Sequence, residues 1–285
     1  MMKYRFLRYP GGKFKAVTLS YDDGFKGDLK LCEIVGKYNM KVTLNLCGAM
    51  IGDNPNRLTE EEIKEKILAH GHEVANHGEW HKALGHLSNI NGIQDTLNCR
   101  LSLEERFGCI VRGMAYPDTP KNLIGEKYNS VRAYLCDLGI AYARTLGEDN
   151  DVFDLPSDFY LWMPTAHHQN EKIFDYIDKF LALDDKKLYC ASRWPRLFYM
   201  WGHSFEFDNN NNWDRLEAIC EKLGGREDIW YATNIEIYDY VKAYESLHFS
   251  ADNKRVYNPT LIDVWFDIAG KLYCVKSGET LVIED

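Results

Sequence analysis

Three absences narrow the reading of this chain before any motif is considered. None of its 285 residues lies in an uninterrupted apolar run long enough to cross a bilayer. Positive charge is not in excess: 34 basic residues face 43 acidic ones, a formal net charge of -9. An acidic surface repels phosphate backbones and anionic lipid, so nucleic-acid and membrane-surface roles lose ground. No C-x-x-C pair occurs among Cys32, Cys47, Cys99, Cys109, Cys136, Cys190, Cys220 and Cys274. Several of these sit in apolar contexts, where a buried thiol acts as a small hydrophobe, and reduced, structural cysteines in an intracellular protein are the expectation. Internal repeats and low-complexity segments are also missing. Residues 1–15 carry Lys3, Arg5, Arg8, Lys13 and Lys15 with no apolar run of signal-peptide length. The expected location is therefore cytoplasmic, or extracellular if a leader has been removed.

What is present is a soluble-protein composition, 45% hydrophobic and 27% charged, that can bury a substantial core. Tyr (18), Trp (7) and Phe (13) are plentiful, and those that are not core suit the apolar faces of sugar rings. Short apolar runs alternate with amphipathic stretches. Strands are predicted at 16–19, 42–46, 72–76, 110–116, 140–145, 159–163 and 197–201, and helices at 28–38, 59–70, 89–107, 129–138, 170–183, 213–223 and 234–244. Thr59 and Glu62 match a capping box, with Gly71 as the left-handed stop. In the helix at 89–107, Ile90, Ile93, Leu97 and Leu101 fall on one stripe. Such alternation predicts an α/β fold, a distorted (β/α) barrel of about seven parallel strands. Beyond residue 245 the texture changes to a β-hairpin with its turn near Gly270. The expected division is residues 1–246 as the barrel and 247–285 as a small β appendage packed on it.

The chemistry-bearing residues follow predicted strands. Asp22 and Asp23 end the first, His77 and His81 follow the third, Tyr116-Pro117-Asp118 the fourth, and His203 a late one. In parallel α/β barrels the C-terminal strand ends form the active face, so the clustering predicts one site assembled from distant parts of the chain. Histidines at i, i+4 on a helical turn share a face and can share one metal. One carboxylate and two imidazoles leave coordination positions open, and a second carboxylate is free to take a proton from water. Consecutive residues at a strand end project differently, so Asp22 and Asp23 are expected to take different tasks. His72-Glu73 invites comparison with the H-E-x-x-H zinc-protease pattern, but residue 76 is Asn, and that reading fails. His72 is expected as a buried strand residue, and His70 at a helix C-terminus.

These residues resemble the polysaccharide deacetylase family, the NodB-homology domain of carbohydrate esterase family 4. Thr18 to Gly24 resembles its T-[FL]-[ST]-[FY]-D-D-G motif, and Gly71-His72-Glu73-Val74-Ala75-Asn76-His77 followed by His81 resembles its second. The resemblance implies Asp22 as general base and Asp23, His77 and His81 as metal ligands. Arg112 to Pro117 resembles a third motif, which implies Arg112 as the residue orienting the base and Tyr116 as oxyanion donor, although Asp118-Thr119 replaces the usual Tyr-Gly. Met200-Trp201-Gly202-His203 resembles a fifth, which implies His203 as general acid. The fourth motif has its nearest shape in residues 158–162, and the partner of His203 stays open. Pro117, Trp162 and His168 complete the expected substrate-lining set.

The function implied is metal-dependent removal of acetyl groups from an N- or O-acetylated carbohydrate. One divalent ion is expected, zinc first, with cobalt, nickel, manganese or iron fitting the same ligands. The partner expected is the acetylated carbohydrate, with no nucleic acid and no membrane. Two other readings stand beside it: an intracellular amidase acting on a small cyclic amide or ureide, and a carbohydrate-binding pseudoenzyme.

Overall fold

The computed structural model describes residues 4–118, 127–146 and 150–283. Its centre is a curled parallel sheet built from β2 (Lys15–Asp22), β3 (Thr43–Leu46), β4 (Glu73–Asn76), β5 (Gly113–Ala115), β6 (Tyr142–Arg144), β7 (Ala166–His167) and β8 (Arg196–Gly202). The strand order is β6-β5-β4-β3-β2-β8-β7. A further strand, β9 (Ile229–Tyr231), pairs with the first residues of β2, below the point where β3 joins at Ser20. The expected seven-stranded distorted barrel is what forms.

Strand β2 is buried along its whole length, and its alternation separates two environments. Val17, Leu19 and Tyr21 join the large apolar layer beneath the outer helices. Ala16 joins the inner cluster with Leu197, Tyr199, Trp162 and Ile237, and on this face Thr18 donates to Asn234 while Ser20 accepts from Asn45. A period of two residues therefore delivers Asp22, the last residue of the strand, to the barrel interior. Helix Asn234–Glu245, opened by a Thr233–Glu236 capping box, closes the end where the strands begin. There the Asn234 N–H donates to Thr43 and the Asn234 amide donates to Tyr199.

Both edges of the curled sheet meet one irregular segment. The Trp162 N–H donates to Ala143 on β6, and its carbonyl accepts from Thr145. A few residues later the N–H groups of Thr165 and His168 donate to Tyr199 and Trp201 on β8. The strand predicted at 159–163 is not formed. Phe159–Leu161 is a 3-10 turn, and the strand is the two-residue β7. The other six predicted strands and all seven predicted helices appear, with shifted ends.

Two helices depart in detail. The 59–70 helix keeps its capping box and its Gly71 stop (φ 76°), but is α-helical only at Glu60–Glu62, then π over Ile63–Ile67 and 3-10 over Leu68–His70. Helix Asn89–Phe107 does not bury its predicted apolar stripe: Ile90 and Leu101 are 70% and 54% exposed. Its buried residues are Gly92, Asp95, Thr96, Cys99 and Leu103. This face is small and polar because it braces a loop, as shown below.

The C-terminal region forms the hairpin β12 (Val264–Ile268) and β13 (Lys271–Val275), turning at Ala269–Gly270 with both φ positive. β1 (Arg5–Arg8) extends it, pairing antiparallel with β12. A second small sheet holds β10 (His248–Phe249), β11 (Arg255–Tyr257) and β14 (Thr280–Val282). All eight cysteines are unpaired; Cys32, Cys47, Cys99 and Cys220 are buried, while Cys136 and Cys190 are exposed. Among the described residues no helix is long and apolar enough to cross a membrane.

Candidate metal centre and catalytic pocket

β2 ends at Asp22, and the chain turns at once through Asp23 (φ 81°) and Gly24 (φ 70°). Left-handed backbone at a non-glycine residue carries a cost of about 1 kcal/mol or more. The turn is held by the Asp23 N–H donating to Asn45, by Leu58 donating to the Gly24 carbonyl, and by the Arg57 guanidinium donating to the Asp23 carbonyl. Asp23 thereby swings its carboxylate away from that of Asp22 and toward the loop after β4.

That loop carries both histidines without being helical. Residues 77–81 form a bend, with positive φ at Gly78 (73°) and His81 (53°), so the predicted helical turn is replaced by a curled loop. Asn76 accepts from the Gly78 N–H (2.8 Å) and donates to the Thr96 carbonyl (2.9 Å). Asp95 accepts from the Trp80 N–H (3.1 Å). This explains the inward polar face of helix Asn89–Phe107. The two imidazoles end 4.9 Å apart between centroids, at 72° to one another.

Asp23, His77 and His81 converge. Asp23 Oδ1 lies 3.6 Å from His77 Nε2 and 3.4 Å from His81 Nε2, and all three ligand atoms lie within 4.8 Å of one another. Among the described residues Asp23 Oδ1 is buried and makes no hydrogen bond, the condition of a carboxylate oxygen waiting for a cation. The Ala115 carbonyl sits 2.9 Å from His77 Nδ1, which places the proton on Nδ1 and leaves the Nε2 lone pair facing Asp23. Burial holds the His77 pKa below its usual value despite Asp22 and Asp23 nearby, favouring the neutral form that can ligate. The donor set fits one divalent transition ion.

Asp22 stands beside this triad, with Oδ2 4.0 Å from His77 Nε2 and 4.0 Å from His203 Nε2. Its Oδ1 accepts from Asn45 Nδ2 (2.8 Å), and Oδ2 pairs with the Arg144 guanidinium. Burial alone would raise the Asp22 pKa. Arg144, then His77 and His203, outweigh it and leave the group below the ordinary carboxylate range. Arg144 itself is buried and lies 4.6 Å beneath the Trp201 ring.

His203, just past β8, places Nδ1 3.3 Å from Glu206 Oε1. Glu206 Oε2 lies 3.0 Å from the Nε2 atoms of both His167 and His168, so three imidazoles surround one carboxylate. Burial tends to lower the His203 pKa, but Glu206, Asp22 and Asp23 together raise it. His167, His203 and Glu206 could also group around a cation. However, the Gln169 N–H donates to His167 Nδ1 (3.1 Å), which leaves the proton of a neutral ring on Nε2, facing Glu206. A protonated Nε2 cannot ligate, so this group is a carboxylate ringed by imidazoles rather than a second metal site.

Four sequence-based assignments are corrected by these positions. Arg112 does not reach Asp22; its guanidinium pairs with Asp239 (2.6 Å) on helix Asn234–Glu245. Tyr116 offers no oxyanion donor, because its N–H is bound to the Arg144 carbonyl (2.9 Å) and its hydroxyl to the Tyr160 carbonyl (3.0 Å). Trp162 is core, packed edge-on against Tyr142, Phe159 and Tyr199. His168 is fully buried, stacked between Tyr21 and Phe207. Pro117 lies near Gly78 in the metal loop, and Thr119 is outside the described residues. His72 is buried as expected, with the Val42 N–H donating to its Nδ1 (3.2 Å).

A parallel half-barrel thus carries, at the C-terminal ends of its strands, two histidines and one carboxylate that could hold a metal ion, with a second buried carboxylate beside them. Residues 9–143 match the family model described as polysaccharide deacetylase. No curated protein gives a significant match. Among solved structures, a putative polysaccharide deacetylase from Mycobacterium smegmatis aligns at 16% identity and TM-score 0.57, over 84% of this chain and 94% of that one. A mutant of a peptidoglycan deacetylase from Bacillus subtilis aligns at 15% identity and TM-score 0.51, over 84% and 96%. A mutant, with restored activity, of a family 4 carbohydrate esterase pseudoenzyme from Bacillus anthracis aligns at 16% identity and TM-score 0.51, over 82% and 70%. At such identities the likeness establishes the shared fold.

Proposed function

We propose that this protein is a metal-dependent hydrolase that removes acetyl groups from an N- or O-acetylated carbohydrate. The observation that carries the reading is the division of labour between adjacent residues: Asp23 faces His77 and His81, while Asp22 is buried outside that triad and held ionised by Arg144. A protein that only bound sugar would have no use for a spare carboxylate of this kind.

Asp23, His77 and His81 would hold the ion, zinc first among the divalent metals that suit mixed oxygen and nitrogen ligands. When bound, such an ion supplies Lewis acidity, which acidifies water and polarises the acetyl carbonyl. Asp22 takes the proton from the attacking water through Oδ2, the oxygen nearer to both His77 and His203. Arg144 and Asn45 fix its orientation and keep it charged at neutral pH. His203, with Nδ1 turned to Glu206, presents Nε2 to the pocket and protonates the departing amine or alcohol. Trp201 is half-buried above Arg144 and 5.8 Å from the His203 ring, which offers an aromatic face to a sugar next to both groups.

The test is acetate release from acetylated chito- and xylo-oligosaccharides by metal-loaded protein, with ring opening of a cyclic imide as the competing assay. Asp22→Asn should retain the metal and lose turnover by about 100-fold or more. Normal turnover in that variant would remove Asp22 as the base, and cyclic-imide cleavage without acetate release would replace the deacetylase reading.

A further inference from the structure

An open groove of about 870 Å³ lies on the outer wall of the barrel, between helix Gly27–Lys37 and the segment 60–70. Its inner end reaches His72, the residue before β4, at the end of the strands opposite to Asp22. It belongs to no part of the catalytic pocket. Its volume is that of a small-molecule site.

The groove has an apolar floor and a basic rim. Cys32 and Met40 are buried along the floor, with Leu29 beside them. Lys26, Lys30, Lys41 and Lys66 line it against the single acidic residue Glu33, in a chain whose net charge is -9. Lys26 is engaged by Glu62 and Lys41 by Glu236, each at 2.5 Å. Among the described residues Lys66 has no ion-pair partner, and Lys30 meets only the Trp213 ring, at 4.5 Å.

Two further observations point to a ligand. His72 is only 7% exposed, and the Val42 N–H donates to its Nδ1. The neutral ring therefore carries its proton on Nε2, and among the described residues that N–H meets no acceptor, although His72 lines the groove. That N–H is open to the groove and is free to donate to a ligand there. Gly36 is the second. It lies in a helix, where glycine is less favourable than alanine, yet among the described residues a Cβ there would meet nothing within 4 Å. No packing demand explains the glycine; its effect is to keep the groove clear.

We propose that this groove binds a small amphiphilic anion, a carboxylate on an aliphatic body. The carboxylate accepts from His72 Nε2 and pairs with Lys66, and the aliphatic part lies over Leu29, Met40 and the bare surface of Gly36. Bulk phosphate lacks the apolar part, and a neutral alcohol lacks the charge.

Isothermal titration of the full chain with octanoate, octanol and inorganic phosphate tests this. Octanoate should bind saturably at one site, at least about tenfold more tightly than either control. Gly36→Met fills the groove with a good helix former and should abolish octanoate binding while the melting temperature holds or rises. Lys66→Glu, on an exposed side chain, should weaken binding by about tenfold or more and leave acetate release unchanged. No saturable octanoate binding, equal binding of phosphate, or full binding in Gly36→Met and Lys66→Glu would each overturn the proposal.

Discussion

Arg144 and Asp22, 122 residues apart in sequence, form a fully buried ion pair at the ends of β6 and β2. Removing one partner of such a pair strands the other charge in a low-dielectric interior. Arg144→Ala should therefore destabilise the fold by about 3–5 kcal/mol and return Asp22 to a raised pKa, since burial would act unopposed by its main counter-charge. Arg112→Ala, by contrast, breaks only the half-exposed pair with Asp239 and should leave turnover within about twofold, its pair being worth about 1 kcal/mol or less. Denaturant unfolding and steady-state acetate release on both variants check the assignment; an Arg112 variant that is inactive but stable would reverse it.

Asp23→Ala and His77→Gln should each lose bound metal together with turnover, because each removes one of three ligands. Asp22→Asn should lose turnover alone. Elemental analysis of protein purified without added metal separates these outcomes, and retention of a full equivalent of metal by Asp23→Ala would discard the ligand set. Asp95→Ala should weaken metal retention without touching the ion, since Asp95 anchors the loop by accepting from the Trp80 N–H. Second-layer supports of this kind typically contribute about 10–100-fold in metal affinity.

Glu206 should set the alkaline limb of the activity profile. As the proposed general acid, His203 would work while protonated, so turnover should fall as pH rises through its pKa. Glu206, Asp22 and Asp23 raise that pKa against the opposing effect of burial, which sets the limb above the ordinary histidine value. Glu206→Gln removes the hydrogen-bonded counter-charge and should move the alkaline limb to lower pH. A purely structural role for Glu206 would lower the rate equally at all pH values, and that flat loss would rule the positioning role out.

The sequence exposed the candidate site unevenly, for physical reasons. Asp22, Asp23, His77 and His81 were legible because all of their separation along the chain is bridged by strand ends, and strand ends follow from apolar runs. Arg144 obeyed the same rule, as a lone charge ending the strand predicted at 140–145, but Arg112 stood in the segment that resembled a motif and drew the assignment. Glu206 lies one helical turn beyond His203 and was readable as an i, i+3 partner. The false strand at 159–163 was apolar and aromatic, yet its Trp162 serves the core while its backbone bridges to β6, a tertiary choice that residue type does not encode. Helix Asn89–Phe107 failed at its stripe because it braces a polar loop with Asp95 and Thr96, so the usual equation of buried with apolar did not hold.

His72 should give the protein a measurable sensitivity to acid. Burial, then His70 and Lys41, lower its pKa from 6.5 to about 4. Between those values the unfolded chain binds a proton that the folded chain refuses, so stability is complete above pH 6.5 and declines as pH falls toward 4. The full shift corresponds to roughly 3–4 kcal/mol at most. His72→Gln can still accept from the Val42 N–H through its side-chain oxygen but does not titrate. Its unfolding free energy, measured by urea denaturation at intervals from pH 7 to pH 4, should fall less steeply than that of the parent. Parallel slopes for the two proteins would mean that His72 charges without opposition in the folded state, and its place beside the basic groove would need another explanation.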